Sequence, residues 1–181
     1  MQTNFTAAQL ADPDNATSEA ILRACVHCGF CTATCPTYVT LGDELDSPRG
    51  RIYLMQDMLE KDAVPSDRTV LHVDRCLSCL ACMSACPSGV NYMHLVDHGR
   101  AHIEAKYLRP FLDRLVRAAL ALVMPHPNRF RAALALAKFA RPFARLLPAR
   151  LAAKLRMAPA QFHGPSHDDL PQIHKAQEIG R

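Results

Sequence analysis

Two cysteine runs restrict this chain more than any other feature: "CVHCGFCTATCP" over residues 25–36 and "CLSCLACMSACP" over 76–87. Each reads Cys-x2-Cys-x2-Cys-x3-Cys-Pro, and every cysteine and the proline recur at an offset of 51 residues. All eight cysteines of the 181-residue chain lie in these two runs. An internal repeat that preserves thiol spacing and little else is a repeat of a site. Whatever the chain folds into has to bring the two runs to terms with each other.

Four thiols can hold a zinc ion, form a reactive pair, or hold an iron–sulfur cluster. Zinc commonly takes its ligands as two separated pairs, which fits three evenly spaced cysteines plus a fourth before proline poorly. The spacing matches the bacterial ferredoxin run for [4Fe–4S] clusters, in which the fourth cysteine of each run ligates the other cluster. Three thiols two residues apart let a tight loop meet three irons of one cube, and the proline turns the fourth away from it. The expected ligands are Cys25, Cys28, Cys31 and Cys86 for one cluster, and Cys76, Cys79, Cys82 and Cys35 for the other. With every thiol so used, no iron keeps a position open for substrate, and the chain reads as an electron carrier. It has no G-x-G-x-x-G, P-loop, G-x-S-x-G or zincin motif.

The first twenty residues lack the basic and apolar regions of a secretory signal. The expected location is therefore cytoplasmic, where clustered cysteines bind metal more often than they pair. The net charge of +4 conceals a division. Residues 1–108 carry 8 Lys and Arg against 13 Asp and Glu, and residues 109–156 carry 11 against 1.

The expected organisation is a loose leader over 1–16, a two-cluster domain over 17–108, a basic helical arm over 109–157 and an extended tail over 158–181. Helices are expected from Thr17 or Ser18 into Cys25, from Ser47-Pro48 through "RGRIYLMQDMLEK", from Ser66 into Cys76, and from Asn91 to about Tyr107. Leu112, Leu115, Val116, Ala119 and Val123 share a face of the next helix. Pro142 is expected to kink or break the one after it. Strand signals are weak throughout, and the longest uncharged stretch of the arm is interrupted by Pro125 and Pro127, which excludes a membrane span.

Other candidates are weaker. His27 lies inside the first loop, where four cysteines leave it no ligand role, and it is expected to point outward or to hydrogen-bond a sulfur. His94, His98 and His102 form an i, i+4, i+8 row that reads as a solvated or packing face. Arg49, Arg51 and Arg75 either offset cluster charge or are surface arginines. The basic arm admits helical packing, partner docking or contact with anionic lipid. Nucleic acid is not expected, because the positive stripe lacks interleaved aromatics.

The stretches "ILRACVHCGFCTATCPTY", "LGDELDSPRGRIYLM", "DRCLSCLACMSACPSGVNY" and "LVDHGR" resemble the N-terminal region of the glycolate oxidase iron–sulfur subunit family, over roughly residues 18–160. The resemblance implies a mainly α chain, an α-helical ferredoxin fold with two [4Fe–4S] clusters followed by a helical basic extension. It implies FAD-linked oxidase partner subunits that convert glycolate to glyoxylate, with electrons passing on to a quinone or similar acceptor, the chain lying peripherally on the cytoplasmic face of the inner membrane. A lactate, glycerol-3-phosphate or heterodisulfide-reductase-like system, or a non-redox module with structural metal, are the alternatives. The family continues into Cys-Cys-Gly repeats, whereas no cysteine follows Cys86 here.

Overall fold

Short polar side chains start four of the helices of this protein. In the computed structural model, which describes residues 1–146, 149–157 and 159, helix α1 (Pro13–Ala24) is capped by Asp12, whose carboxylate accepts from the Asp14 amide at 2.9 Å. Proline at the first helical position has no amide to leave unpaired. The expected start at Thr17 or Ser18 is thus one turn late. Thr17 Oγ1 already bonds the Pro13 carbonyl inside the helix, and Ser18 is fully buried with its hydroxyl 2.7 Å from His98 Nδ1.

The first sixteen residues are also not loose. Met1 and Phe5 pack against the core, the Asn4 amide donates to Glu60, and Gln9 donates to the Leu59 and Glu60 carbonyls.

Two very short helices follow, α2 (Phe30–Ala33) and α3 (Pro36–Leu41), then a 3-10 turn at Glu44–Asp46. Helix α4 (Pro48–Lys61) takes Ser47 as its cap, with the Gly50 amide donating to Ser47 Oγ at 2.9 Å. Ser66 caps α5 (Asp67–Asp74) through the Thr69 amide, and α6 (Ala81–Ser84) is another single turn. Asn91 caps α7 (Tyr92–Lys106). No strand occurs among the described residues.

The chain divides into two units, Met1–Leu108 and Arg109–Arg181, at the point where its charge changes sign. In the first unit α1, α4, α5 and α7 pack on one another around Leu22, Ile52, Met55, Leu59, Val73, Leu95, Val96 and Ile103. Each such side chain contributes about 1.5–3 kcal/mol by leaving water. Two glycines are closely approached, one by rigid backbone and one by a flexible side chain. A Cβ on Gly50 would lie 2.1 Å from the Glu44 carbonyl oxygen, and one on Gly99 would lie 2.9 Å from Met55 Sδ.

The second unit contains α8 (Phe111–Val123), α9 (Pro127–Ala140) and α10 (Ala149–Met157). The α-helical run stops at Ala140 and tightens to a 3-10 turn over Arg141–Leu146, as Pro142 demands. The apolar stripe of α8 stays exposed at Leu112, Leu115 and Leu120. No described helix is long and apolar enough to cross a membrane. The tail expected over 158–181 lies, Pro159 apart, outside the described residues.

The Gly50 approach gives a direct test. Gly50→Ala forces Cβ into backbone and is expected to lower stability by about 3 kcal/mol. Gly42→Ala, where a Cβ meets nothing within 4 Å but φ is +69°, should lose only about 1 kcal/mol. Urea unfolding followed by circular dichroism measures both.

Candidate metal centre

Helices α1 and α5 each deliver the chain into a cysteine loop, and the two loops adopt the same unusual backbone. In the first, His27 and Gly29 are left-handed, with φ of 54° and 83°. In the second, Ser78 and Leu80 are left-handed, with φ of 51° and 58°. These are the same two positions of the repeat, although the residues share nothing. A left-handed non-glycine residue costs about 1–2 kcal/mol. Such conformations persist where their surroundings over-determine them, typically at ligand sites. Alternating the hand of the backbone also turns successive amides to one side, the arrangement that receives anions.

The loops wall two cavities. One is lined by Cys25, Cys28, Cys31, Cys82 and Cys86. The other is lined by Cys35, Cys76, Cys79 and Cys82. Cys82, Pro48 and Tyr92 belong to both linings and form the shared wall. All eight cysteines are free thiols. Cys28 and Cys79 are exposed, whereas Cys25, Cys35 and Cys82 are buried.

The thiols sense one another. Burial pushes Cys31 above its ordinary pKa, its own backbone amide opposes this, and the nearby charges of Cys25, Cys28 and Cys86 raise it again. Cys82 is pushed up to about 12 by burial and then by Cys31 and Cys76. Burial acts the same way on Cys35, but hydrogen bonds from Thr37, the Tyr38 and Thr37 amides and Arg51 outweigh it and hold that thiol below its usual value. Crowded thiolates of this kind call for a cation.

Nδ1 of His27, in the wall of the first cavity, is a buried polar atom with no hydrogen-bond partner. Its Nε2 lies 2.7 Å from Met1 Sδ, and its ring stacks on Tyr53 at 4.3 Å. Burial, the N-terminal charge and Arg49 lower its pKa, which keeps the ring neutral. Met1 Sδ can only accept, so in the neutral ring the proton sits on Nε2 and Nδ1 is left as an acceptor. Two cavities walled by cysteine sulfur, and loops held in left-handed turns, fit iron–sulfur clusters.

Behind the second cavity stands a buried ionic hub. Asp46 has no exposed surface and accepts from His72 Nδ1 and Arg75 Nη1, both at 2.9 Å, and from Arg51 Nη2 at 3.4 Å. Arg51, 1% exposed, also donates Nε to the His72 carbonyl at 2.7 Å and Nη1 to Cys35 Sγ at 3.8 Å. Thus Arg51 is no surface arginine. Arg75 bridges the hub to solvent. Arg49 lines the first cavity, paired with Glu44 at 2.7 Å, and lies against Gly29, where a Cβ would be 2.9 Å from Arg49 Nη1. Asp43, Asp46 and His72 cluster closely enough to hold a cation, but two arginines already neutralise Asp46.

Tyr92, which spacing does not single out, is 3% exposed and donates its hydroxyl to Cys76 Sγ at 3.8 Å. Burial first, and then the charge of Cys76, raise its pKa well above the ordinary value. Its only sequence signal is its place directly after the Asn91 cap. Thr37, equally silent in the sequence, touches Cys35 Sγ at 3.2 Å. The histidine row is a packing face. His94 contacts the Asp14 carbonyl, His98 the Ser18 hydroxyl and His102 the Ala63 carbonyl.

Residues 24–90 match the family described as a 4Fe-4S dicluster domain. More particularly, the chain is 50% identical over 155 residues to the glycolate oxidase iron-sulfur subunit of Escherichia coli (strain K12), covering 86% of this chain and 37% of that one. It is 38% identical over 120 residues to the probable glycolate oxidase iron-sulfur subunit of Bacillus subtilis (strain 168), covering 65% of this chain and 27% of the relative. At 27% identity over 123 residues it is similar to a dihydromethanophenazine:CoB--CoM heterodisulfide reductase subunit of Methanosarcina barkeri, covering 60% and 28%. The chain therefore spans between about a quarter and just over a third of the length of the curated relatives it matches. No solved structure matches it.

The hub predicts acid sensitivity. Burial alone would raise the Asp46 pKa, but hydrogen bonds from His72 and Arg75, and their charges, hold it below the ordinary carboxylate range. Asp46 therefore stabilises the fold fully above the unfolded-state value of about 3.9. That contribution is lost as pH falls through the lower folded value. Unfolding measured between pH 3 and 6 should show a loss of stability at the acid end that is flattened in Asp46→Asn, itself less stable at pH 7 by about 3–5 kcal/mol.

Proposed function

We propose that this chain is the cluster-holding, electron-transferring part of a flavoenzyme complex that oxidises glycolate to glyoxylate. The observation that supports it most is the lining of the two cavities, where each loop's first three cysteines meet the fourth cysteine of the other loop. On this reading Cys25, Cys28, Cys31 and Cys86 hold one [4Fe–4S] cluster and Cys76, Cys79, Cys82 and Cys35 the other, in an α-helical ferredoxin fold. Bound there, the clusters supply one-electron storage at two neighbouring points.

The chain's own residues do the remaining work. Ile52, Val90 and Tyr92 keep water from the inner walls. Arg51 and Tyr92 direct donors toward sulfur. Exposed Cys28 and Cys79 mark the surface points nearest each site. The substrate chemistry belongs to FAD-linked partner subunits, and the electrons pass on to a quinone or similar acceptor. The second unit, with its excess of Lys and Arg and exposed α8 leucines, offers a surface to those partners or to the anionic cytoplasmic face of the inner membrane. Similarity to the heterodisulfide reductase subunit favours a second reading, the same carrier serving another flavin system, but at much lower identity.

Anaerobic reconstitution of the full chain should yield about eight iron and eight sulfide, two cubes of four; a stable two-zinc protein overturns the reading. Cys86→Ala and Cys35→Ala should each perturb one cluster and not the same one. In a complex co-purified with flavin subunits, Cys86→Ser should reduce glycolate:dye reductase activity while flavin content is retained. Unchanged activity counts against the carrier role.

A further inference from the structure

The two cavities differ in what faces their sulfurs, and the difference sets an order. At the second, two side chains donate to thiolate sulfur: Arg51 Nη1 to Cys35 and the Tyr92 hydroxyl to Cys76, each at 3.8 Å. The guanidinium is held in place on three sides, by the His72 carbonyl, Thr37 Oγ1 and Asp46, so that the remaining nitrogen meets Cys35. Among the described residues, no side chain donates to Cys25, Cys28, Cys31 or Cys86 themselves. His27 Nδ1, in the wall of the first cavity, makes no hydrogen bond to any of these thiols.

Positive charge is distributed in the same sense. Arg49, at the first cavity, is one-third exposed and paired one-to-one with Glu44. The Met1 ammonium donates to the Arg23 and Cys25 carbonyls and touches no thiol sulfur. At the second cavity Arg51 and Arg75 share one carboxylate, and Arg51 is out of water. Charge-assisted hydrogen bonds are about twice as strong as neutral ones, and exposed charges are screened.

We propose that Arg51 and Tyr92 make the Cys35/Cys76/Cys79/Cys82 site the higher-potential of the two, so that it is the resting place of a single electron. Adding an electron makes a cluster more negative, and donors to its thiolates stabilise that state; hydrogen bonds to sulfur are among the levers that set cluster potential. A single electron then passes from the first site to the second, oxidising one and reducing the other, with no bond broken and no proton moved. Arg51 and Tyr92 are positioning residues in this account, acting through the thiolates they touch. The inference rests on the proposed cluster reading.

The test is a dithionite redox titration of the anaerobically reconstituted full chain, monitored by EPR, with iron and sulfide measured on every sample. Tyr92→Phe keeps the buried ring and removes only the hydroxyl. It should shift the higher-potential couple downward and leave the lower one in place. Arg51→Met should shift the same couple further in the same direction; should that variant fail to fold, Tyr92→Phe alone still decides. Cys86→Ala, which removes a thiol of the first cavity, should alter the lower-potential signal. The proposal is overturned if Tyr92→Phe moves neither couple or moves the lower one, or if Cys86→Ala alters the higher. A wild-type chain that takes up no cubane iron overturns the cluster reading itself, and this inference with it.

Discussion

Asp46, a carboxylate with no exposed surface, holds the architecture together: it ties the 3-10 turn to α4 through Arg51 and to the end of α5 through His72 and Arg75. Its backbone carbonyl accepts from Thr37, which anchors the start of α3 beside Cys35. A single residue thus connects the element after the first cysteine run to the element before the second. Buried ion pairs seldom add much net stability, because desolvation offsets the attraction, but removing one partner strands the others. The hub is better understood as fixing where Arg51 points than as a source of stability.

The second constraint lies in the loops. His27 and Ser78, and Gly29 and Leu80, take up the same left-handed turns although only one of the four is glycine. Local preference does not explain Leu80, so the requirement comes from what the loop surrounds. The repeat extends below the level of residue identity to backbone conformation, which is the level at which a cube of sulfide and iron is contacted.

Much of this is legible in the sequence, and for specific reasons. Thiol spacing is a local geometric code, so the two cysteine runs can be read directly. Ser47, Ser66 and Asn91 act within three residues, and their helices follow. Asp12 does not stand out because Thr17 and Ser18 are equally good caps in isolation; only the burial of Ser18 against His98 disqualifies it. Tyr92, Thr37 and Asp46 cannot be found from spacing, since each acts on a residue 2 to 29 positions away through the folded chain. The helical pattern of the second unit is plain, whereas the partner of its apolar face is not encoded in periodicity.

The cavity that opens at Cys25 is closed by Cys86, 61 residues later. A ribosome adding about 5–20 residues per second therefore needs several seconds between the first wall of this site and its last. During that interval three thiols of the first run are present without their fourth. Biosynthesis of such a chain favours folding of α4 and α5 before metal arrives, and makes the emerging first loop the point most in need of protection from oxidation.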